Sequence, residues 1–405
     1  MINDKNTGFR PSSMKKHNQQ LLYKCIFEEE PISRIELTEL TGLAPTTVTN
    51  NINELIDDGL IKEAGYSESS QGRRRVLLKI VPDAYYVIGV DLDRTGYTVV
   101  FTDLKANIIR KYEYEKQLNE DSEIVLEQIT EIIDEMIESV AIDKNKLLGV
   151  GIGAPGPLAA EEGTILNPPN FANWNNIQVS NILEERLSLP VFLNNDADAC
   201  AKGEKLFGCA RKKENFVYIA AGSGIGSVYF ENGHFHKGNK GRGGEIGHTT
   251  INLDGPQCSC GNIGCLELYI SIFALKKRYH ELYNIDPEKK FINKLSFLDK
   301  ISKDAREKED ERALTIIKES ARYLGTGIVN LVNILSPKYV ILGREIPSRL
   351  GNILLEEIEK IVDNRSILQN YHKAEVLLAE LDKEAPAIGA VSIVINEFIN
   401  GFQDI

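Results

Sequence analysis

Gly243-Gly-Glu-Ile-Gly-His248, nine further residues, then Cys258-Ser-Cys-Gly-Asn-Ile-Gly-Cys-Leu-Glu267 are the most informative stretch of this 405-residue chain. Three of the six cysteines sit here, just downstream of a histidine. Cys258, Cys260 and Cys265 offer soft thiolate ligands, and His248 completes a tetrahedral set suited to zinc. Four protein ligands leave no open position for a metal-bound water, so the expected ion is structural. Gly261 and Gly264 let the chain turn tightly around it. The alternative is three buried cysteines, or a disulfide with a spare thiol. Clustered Cys and His without a secretory signal favour the metal. Glu245 and Glu267 are not needed as ligands and are free to face a substrate.

Working outward, Phe216–Phe230 reads as a hairpin around the glycine loop Gly222-Ser-Gly-Ile-Gly226. A helix is expected from about 267 to 284, another from about 305 to 334, and a strand at Tyr339-Val-Ile-Leu-Gly343. Upstream, Tyr86–Asp103 reads as strand, tight turn, strand, and 121–140 as an amphipathic helix. Leu147–Pro157 is a buried strand entering a rigid loop, and Val191–Asp196 a strand with polar residues at its end. This alternation indicates an α/β architecture with ligands at the carboxyl ends of strands. Two halves of strand, turn and strand, after residues 85 and 216, indicate a duplicated actin-like (ribonuclease H-like) fold. Its two lobes would be about 85–195 plus a C-terminal helix, and 196–385, with a cleft between them.

Residues 1–80 differ from the rest. Eleven Lys/Arg balance eleven Asp/Glu there, so the net charge of −12 lies entirely in residues 81–405. A neutral head on an acidic body can present a local basic surface to DNA while the body stays off it. A helix is expected over 14–29. Ser33-Arg-Ile-Glu36 is a capping box opening a second helix that Gly42 closes, and Pro45 starts a third. Val48, Ile52, Leu55 and Ile56 form the buried stripe of that third helix. Thr46, Thr47, Thr49 and Asn50 are left outside near its N-terminal end, where a recognition helix carries base-reading groups. Two strands around Ser67–Gly72, with Arg73, Arg74 and Arg75, read as a basic wing. A three-helix protein-interaction module is the alternative. The N-terminus has no signal core and no apolar run spans a bilayer, so a cytoplasmic protein with reduced cysteines is expected.

Gly151-Ile-Gly-Ala-Pro-Gly-Pro157 adjoins this set, and Asn195-Asp-Ala-Asp-Ala199, the glycine loop, Gly244-Glu-Ile-Gly-His248 and the cysteine run follow in that order. These motifs resemble the ROK family of sugar kinases and sugar-responsive repressors, over residues 85–405. With its Gly-Arg-Arg head, the chain is similar to the repressor branch. The resemblance implies that Asn195 and Asp196 hold sugar hydroxyls, the aspartate being the proton acceptor in the kinases. Glu245, His248 and Glu267 match positions on the other side of the sugar, and Asn170 matches a further contact. Ligation through one His248 nitrogen would leave the other for a sugar or a carboxylate.

The departures bear on activity. The kinases carry Asp-x-Gly-Gly-Thr in the first turn; this chain has Asp91-Leu-Asp93-Arg94-Thr95, whose second carboxylate would repel a polyphosphate. Their late strand ends in consecutive glycines beside the adenosine; here Arg344 and Glu345 follow Gly343. The residues 1–80 and 81–405 are therefore expected to form a winged helix-turn-helix domain and a sugar-binding body that senses without phosphorylating. A homodimer or tetramer would bind palindromic double-stranded operator DNA and respond to a monosaccharide or sugar phosphate, with no membrane partner. The rivals are an active sugar kinase with an appended head, and a repressor controlled by a partner protein. No basic residue for a sugar phosphate can be placed from the sequence.

Overall fold

The computed structural model describes residues 11–67, 74–114, 121–169, 171, 173–236, 238–239, 243–285, 294–367, 373–381 and 384–401. Among the described residues no helix is long and apolar enough to cross a membrane.

The head comprises α1 (Pro11–Glu29), β1 (Ile32–Ser33), α2 (Arg34–Thr41), α3 (Pro45–Asp57), β2 (Ile61–Tyr66) and β3 (Val76–Ile80). Its capping box forms as expected: Glu36 N donates to Ser33 Oγ, and the Glu36 carboxylate accepts from Ser33 N at 2.8 Å. Gly42 ends α2 in the left-handed conformation, as a helix stop requires. Pro45 starts α3, which buries Val48, Ile52 and Leu55. Strands β2 and β3 pair antiparallel, with β1 on the other edge of β3.

Lobe I contains β4 (Tyr86–Asp93), β5 (Gly96–Asp103), β6 (Ile108–Tyr114), α4 (Ser122–Val140) and β7 (Leu147–Ala154). It continues through β8 (Leu158–Ala159), β9 (Thr164–Ile165), α5 (Val179–Leu187) and β10 (Val191–Asn195). Lobe II begins with α6 (Asp196–Phe207), β11 (Asn215–Ala221), β12 (Ile225–Glu231) and β13 (His234–His236). It continues with α7 (Glu267–Ile270), α8 (Ile272–Tyr283), α9 (Lys294–Glu307) and α10 (Glu311–Leu335). Then come β14 (Tyr339–Gly343), α11 (Glu345–Arg365) and β15 (Glu375–Leu378), after which α12 (Ala385–Asn400) returns to the sheet of lobe I.

The two main sheets share one topology. Lobe I has the order β10-β7-β4-β5-β6 and lobe II the order β13-β12-β11-β14-β15. Each combines an antiparallel three-strand meander with two parallel strands on the other side of its first strand. This is the duplication read from the sequence. The helix expected over 267–284 is broken at Ser271, whose side chain caps α8. The one expected over 305–334 is two helices, because Asp310 caps a fresh start at α10.

Helix α12 is the structural link of the molecule. It is apolar all round and buried along nearly its whole length, as a core helix should be. It lies so close to lobe I that glycines are required beneath it: a Cβ at Gly89 would meet Ala387 O at 2.4 Å, and one at Gly151 would meet Ala390 O at 2.0 Å. Its other face packs on α6, and its last turns pack on the head. Phe398 meets Tyr23 edge-on, with ring centroids 5.7 Å apart. Leu22, Tyr23, Ile26 and Phe27 share one hydrophobic core with Val87, Val100, Val391 and Ile395. Polar contacts reinforce this junction: Glu30 accepts from Ile80 N at 2.6 Å and pairs with Lys105 at 2.6 Å. Residues 82–84 between head and body form a turn tied to lobe I through Leu104 N and Pro82 O.

Candidate functional site

A cavity of about 1030 Å³ lies between the lobes. That is at the upper end of the usual ~300–1,000 Å³ for small-molecule sites. Apolar walls come from Pro155, Pro157, Leu158, Leu268 and Phe273, and polar groups from both lobes converge on it.

The β10–α6 junction places the central pair. Asn195 ends the strand and caps the helix, its Oδ1 accepting from Ala197 N at 3.0 Å. Asp196 is the first helical residue, where the helix dipole favours a carboxylate. Its Oδ1 accepts from Ala197 N at 2.8 Å and its Oδ2 accepts from Arg344 at 2.5 Å. Glu245, His248 and Glu267 form another stretch of the cavity wall. The Glu245 carboxyl is pushed up, first by loss of solvent and then by Asp196, Glu267 and Asp198, with His248 opposing. The structure thus brings five of the six expected sugar-site residues to one cavity; Asn170 lies outside the described residues.

Behind that wall, the ligand atoms of His248, Cys258, Cys260 and Cys265 lie within 4.8 Å of one another. No disulfide joins these cysteines. His248 Nδ1 is 3.7 Å from Cys258 Sγ, and the Cys260 and Cys265 sulfurs are 3.7 Å apart. A tetrahedron with ~2.3 Å zinc–sulfur arms has edges of about 3.8 Å, so the spacing fits such an ion. The loop is closed by Asn262, whose side chain donates to His248 O at 2.9 Å. Gly264 is obligatory: its φ is 62°, and a Cβ would collide with Asn252 O at 1.7 Å. His248 Nδ1 also lies 3.9 Å from Glu267, so the cluster and the cavity wall are one unit.

The space next to Asp196 is filled. Arg344, between β14 and α11, is 5% exposed and has φ 69° and ψ −164°, an unusual backbone for any residue but glycine. Besides Asp196, its guanidinium lies 3.8 Å from Asp93, 4.0 Å from Asp91 and 3.4 Å from Glu345. Burial opposes its charge, but Glu345, Asp196 and Asp91 more than offset this and hold it protonated. Glu345 lies against the glycine loop: a Cβ on Gly222 would come within 2.0 Å of its Oε2. Asp93 is drawn into its own turn, accepting from Arg94 N at 2.7 Å and from Ser223 across the cleft at 3.3 Å. Sequence reading marked residues 93, 344 and 345 as departures and missed that they pair. It also missed Arg94 as a cation on the cavity wall, held by Pro169 O at 2.8 Å.

On the head, Thr46, Thr49 and Asn50 are exposed and Thr47 is half-buried. The Thr49 hydroxyl donates back to Pro45 O at 2.8 Å. No side chain caps α3, leaving its first N–H groups open to a phosphate. Arg74 is exposed, and Arg73 lies outside the described residues.

A duplicated two-lobed body with a polar interlobe cavity, carrying a winged helix-turn-helix head, defines the class. The winged helix-turn-helix DNA-binding family model matches residues 16–62. The ROK family model matches residues 87–397, and the chain belongs to the ROK family. It is 35% identical over 387 residues to the xylose repressor of Bacillus spizizenii, covering 96% of this chain and 97% of that one. It is 29% identical over 391 residues to the N-acetylglucosamine repressor of Shigella flexneri, covering 96% and 94%. Among solved structures, a ROK family transcriptional regulator described as a homolog of the Escherichia coli MLC protein matches with a TM-score of 0.77. It is 28% identical and covers 95% of this chain and 98% of its own. A ROK family glucokinase from Streptomyces griseus in complex with glucose and AMPPNP matches with a TM-score of 0.65 at 28% identity. That match covers 76% of this chain and 98% of the kinase.

Proposed function

We propose that this chain is a sugar-responsive transcriptional repressor that binds operator DNA through its head and a monosaccharide in its interlobe cavity. One observation carries the reading: an interlobe cavity lined by Asn195, Asp196, Glu245, His248 and Glu267, with Asp196 paired to the buried Arg344, occurs in a chain with a winged head. D-xylose is the proposed effector, because the relative that is 35% identical over nearly the whole chain is named a xylose repressor. Asn195 and Asp196 would hold hydroxyls on one side of the sugar, and Glu245, His248 and Glu267 on the other. Asn170 is assigned by resemblance alone.

Zinc is the proposed ion at His248, Cys258, Cys260 and Cys265, with a structural role. It would fix the segment from Glu245 to Glu267, leaving His248 Nε2 for the cavity. Thr46, Thr47, Thr49 and Asn50 would enter a major groove, while Arg73 and Arg74 would contact the backbone or minor groove. A cytoplasmic homodimer would place two heads about one helical turn, ~34 Å, apart on a palindrome. Signal would travel from Asp196 along α6 to α12 and so to α1. Sugar releases DNA only to the extent that it binds the released conformation better.

The chain is proposed to lack kinase turnover. A proton acceptor at Asp196 needs a free oxygen facing the attacking hydroxyl, and here one carboxylate oxygen accepts from Arg344 and the other from Ala197 N. Asp196→Ala and Glu245→Ala are expected to abolish sugar-dependent release while leaving operator binding intact. An unchanged sugar response in both variants rules the site assignment out.

A further inference from the structure

Arg344 departs from its surroundings in two ways. It holds a left-handed φ of 69° that glycine would adopt without strain, and it is a buried cation with four carboxylates within 4.0 Å. Such strain persists only where the surroundings over-determine it, and it gathers at functional positions. The four carboxylates come from different places. Asp91 and Asp93 end the first strand of lobe I, Asp196 starts the helix beside the sugar cavity, and Glu345 belongs to the same turn as Arg344. Glu345 in turn lies on Gly222, in the glycine loop between β11 and β12.

We propose that Arg344 and Glu345 are a built-in substitute for a bound nucleotide and its cation, clasping lobe II to lobe I and fixing Asp196 for the sugar. In this arrangement Glu345 is the anion on the glycine loop. Arg344 is the cation that links that anion to Asp196 on one side and to Asp91 and Asp93 on the other. A compact metal ion would need the nucleotide to hold it; a planar guanidinium with five donors reaches several carboxylates by itself. The consequence is that the cleft is ordered, and the sugar site oriented, without any nucleotide. Arg344 is a positioning residue: it acts on the sugar through Asp196.

The test uses the full-length protein and two variants. Arg344→Gly removes the guanidinium and accepts the local φ, so the backbone need not move. Arg344→Lys keeps the charge but loses the fork. Hydrogen exchange is read on residues 91–96 and 222–226 without sugar. The clasp predicts at least about threefold faster exchange in both segments of Arg344→Gly, with Arg344→Lys between it and the wild type. Less than about threefold acceleration in Arg344→Gly, or equal acceleration in both variants, overturns the proposal. The second readout rests on the function proposed above: D-xylose binding by calorimetry without nucleotide. Arg344→Gly is expected to weaken it about tenfold or more, and Arg344→Lys less. A wild type that binds no D-xylose refutes the proposed effector, while the sugar-free exchange still decides the clasp.

Discussion

Replacing Phe398 with alanine should separate the head from the body. Phe398 is 6% exposed and packs against Tyr23 of α1 and Tyr85 before β4, with centroids 5.7 and 5.3 Å away. A ring of this size buries on the order of 150 Å², and at ~25 cal/mol per Å² its loss amounts to about 4 kcal/mol as an upper estimate. Measured Phe→Ala costs in cores run ~3–5 kcal/mol, so about 3–4 kcal/mol is expected here. That loss falls on the junction, because the head shares its core with β4, β5 and α12. The assay is urea unfolding followed by two probes. The single tryptophan, Trp174, sits in the core of lobe I and reports that lobe by fluorescence. Circular dichroism reports helix throughout, including α1 to α3. In the wild type the two transitions are expected to run together over the head and lobe I. In Phe398→Ala a helical phase should precede the tryptophan phase. Coincident transitions with an unchanged midpoint would refute the shared-core argument, and with it the route proposed for the signal.

Further outcomes follow from the same structure. Cys265→Ser should bring bound zinc from about one per chain to near zero by elemental analysis, because three ligands bind far more weakly than four; loss of the sugar response should accompany it. Arg74→Ala should weaken operator binding across sequences and reduce the slope of log K against log salt by roughly 1 per head, the signature of a phosphate contact. Asp310 caps α10 and accepts from Arg312 and Tyr283, which hold its carboxyl down at about 2 against an ordinary 3.8. Because the folded value is the lower one, its contribution is present above about pH 4 and is lost as pH falls toward 2. Asp310→Asn should remove that part of the acid sensitivity, read from thermal unfolding at pH 6 and at about pH 3.

The parts legible in the sequence were those with local rules. The capping box at Ser33–Glu36, the Gly42 stop, Pro45 and the duplicated strand halves depend on neighbours in the chain, and each formed as read. The cysteine cluster was legible because its spacing is short enough for one loop to close. The pairing of Arg344 with Asp196 spans 148 positions, and nothing local announces it. The glycine-lined seat for α12 was hidden for the same reason: Gly89 and Gly151 read as ordinary strand residues until Ala387 and Ala390 lie on them. The break at Ser271 was missed because the apolar period continues across it, while its capping hydroxyl ends one helix and opens the next.

In the proposed function, a sugar in the interlobe cavity controls the head. The most direct measurement is fluorescence anisotropy of the zinc-loaded protein on DNA from upstream of its own and neighbouring genes, titrated with D-xylose and a panel of other monosaccharides and their phosphates. Specific binding at modest salt that D-xylose releases is expected, with no release in Glu245→Ala. Specific binding that no sugar changes would contradict it and point to control by a partner protein.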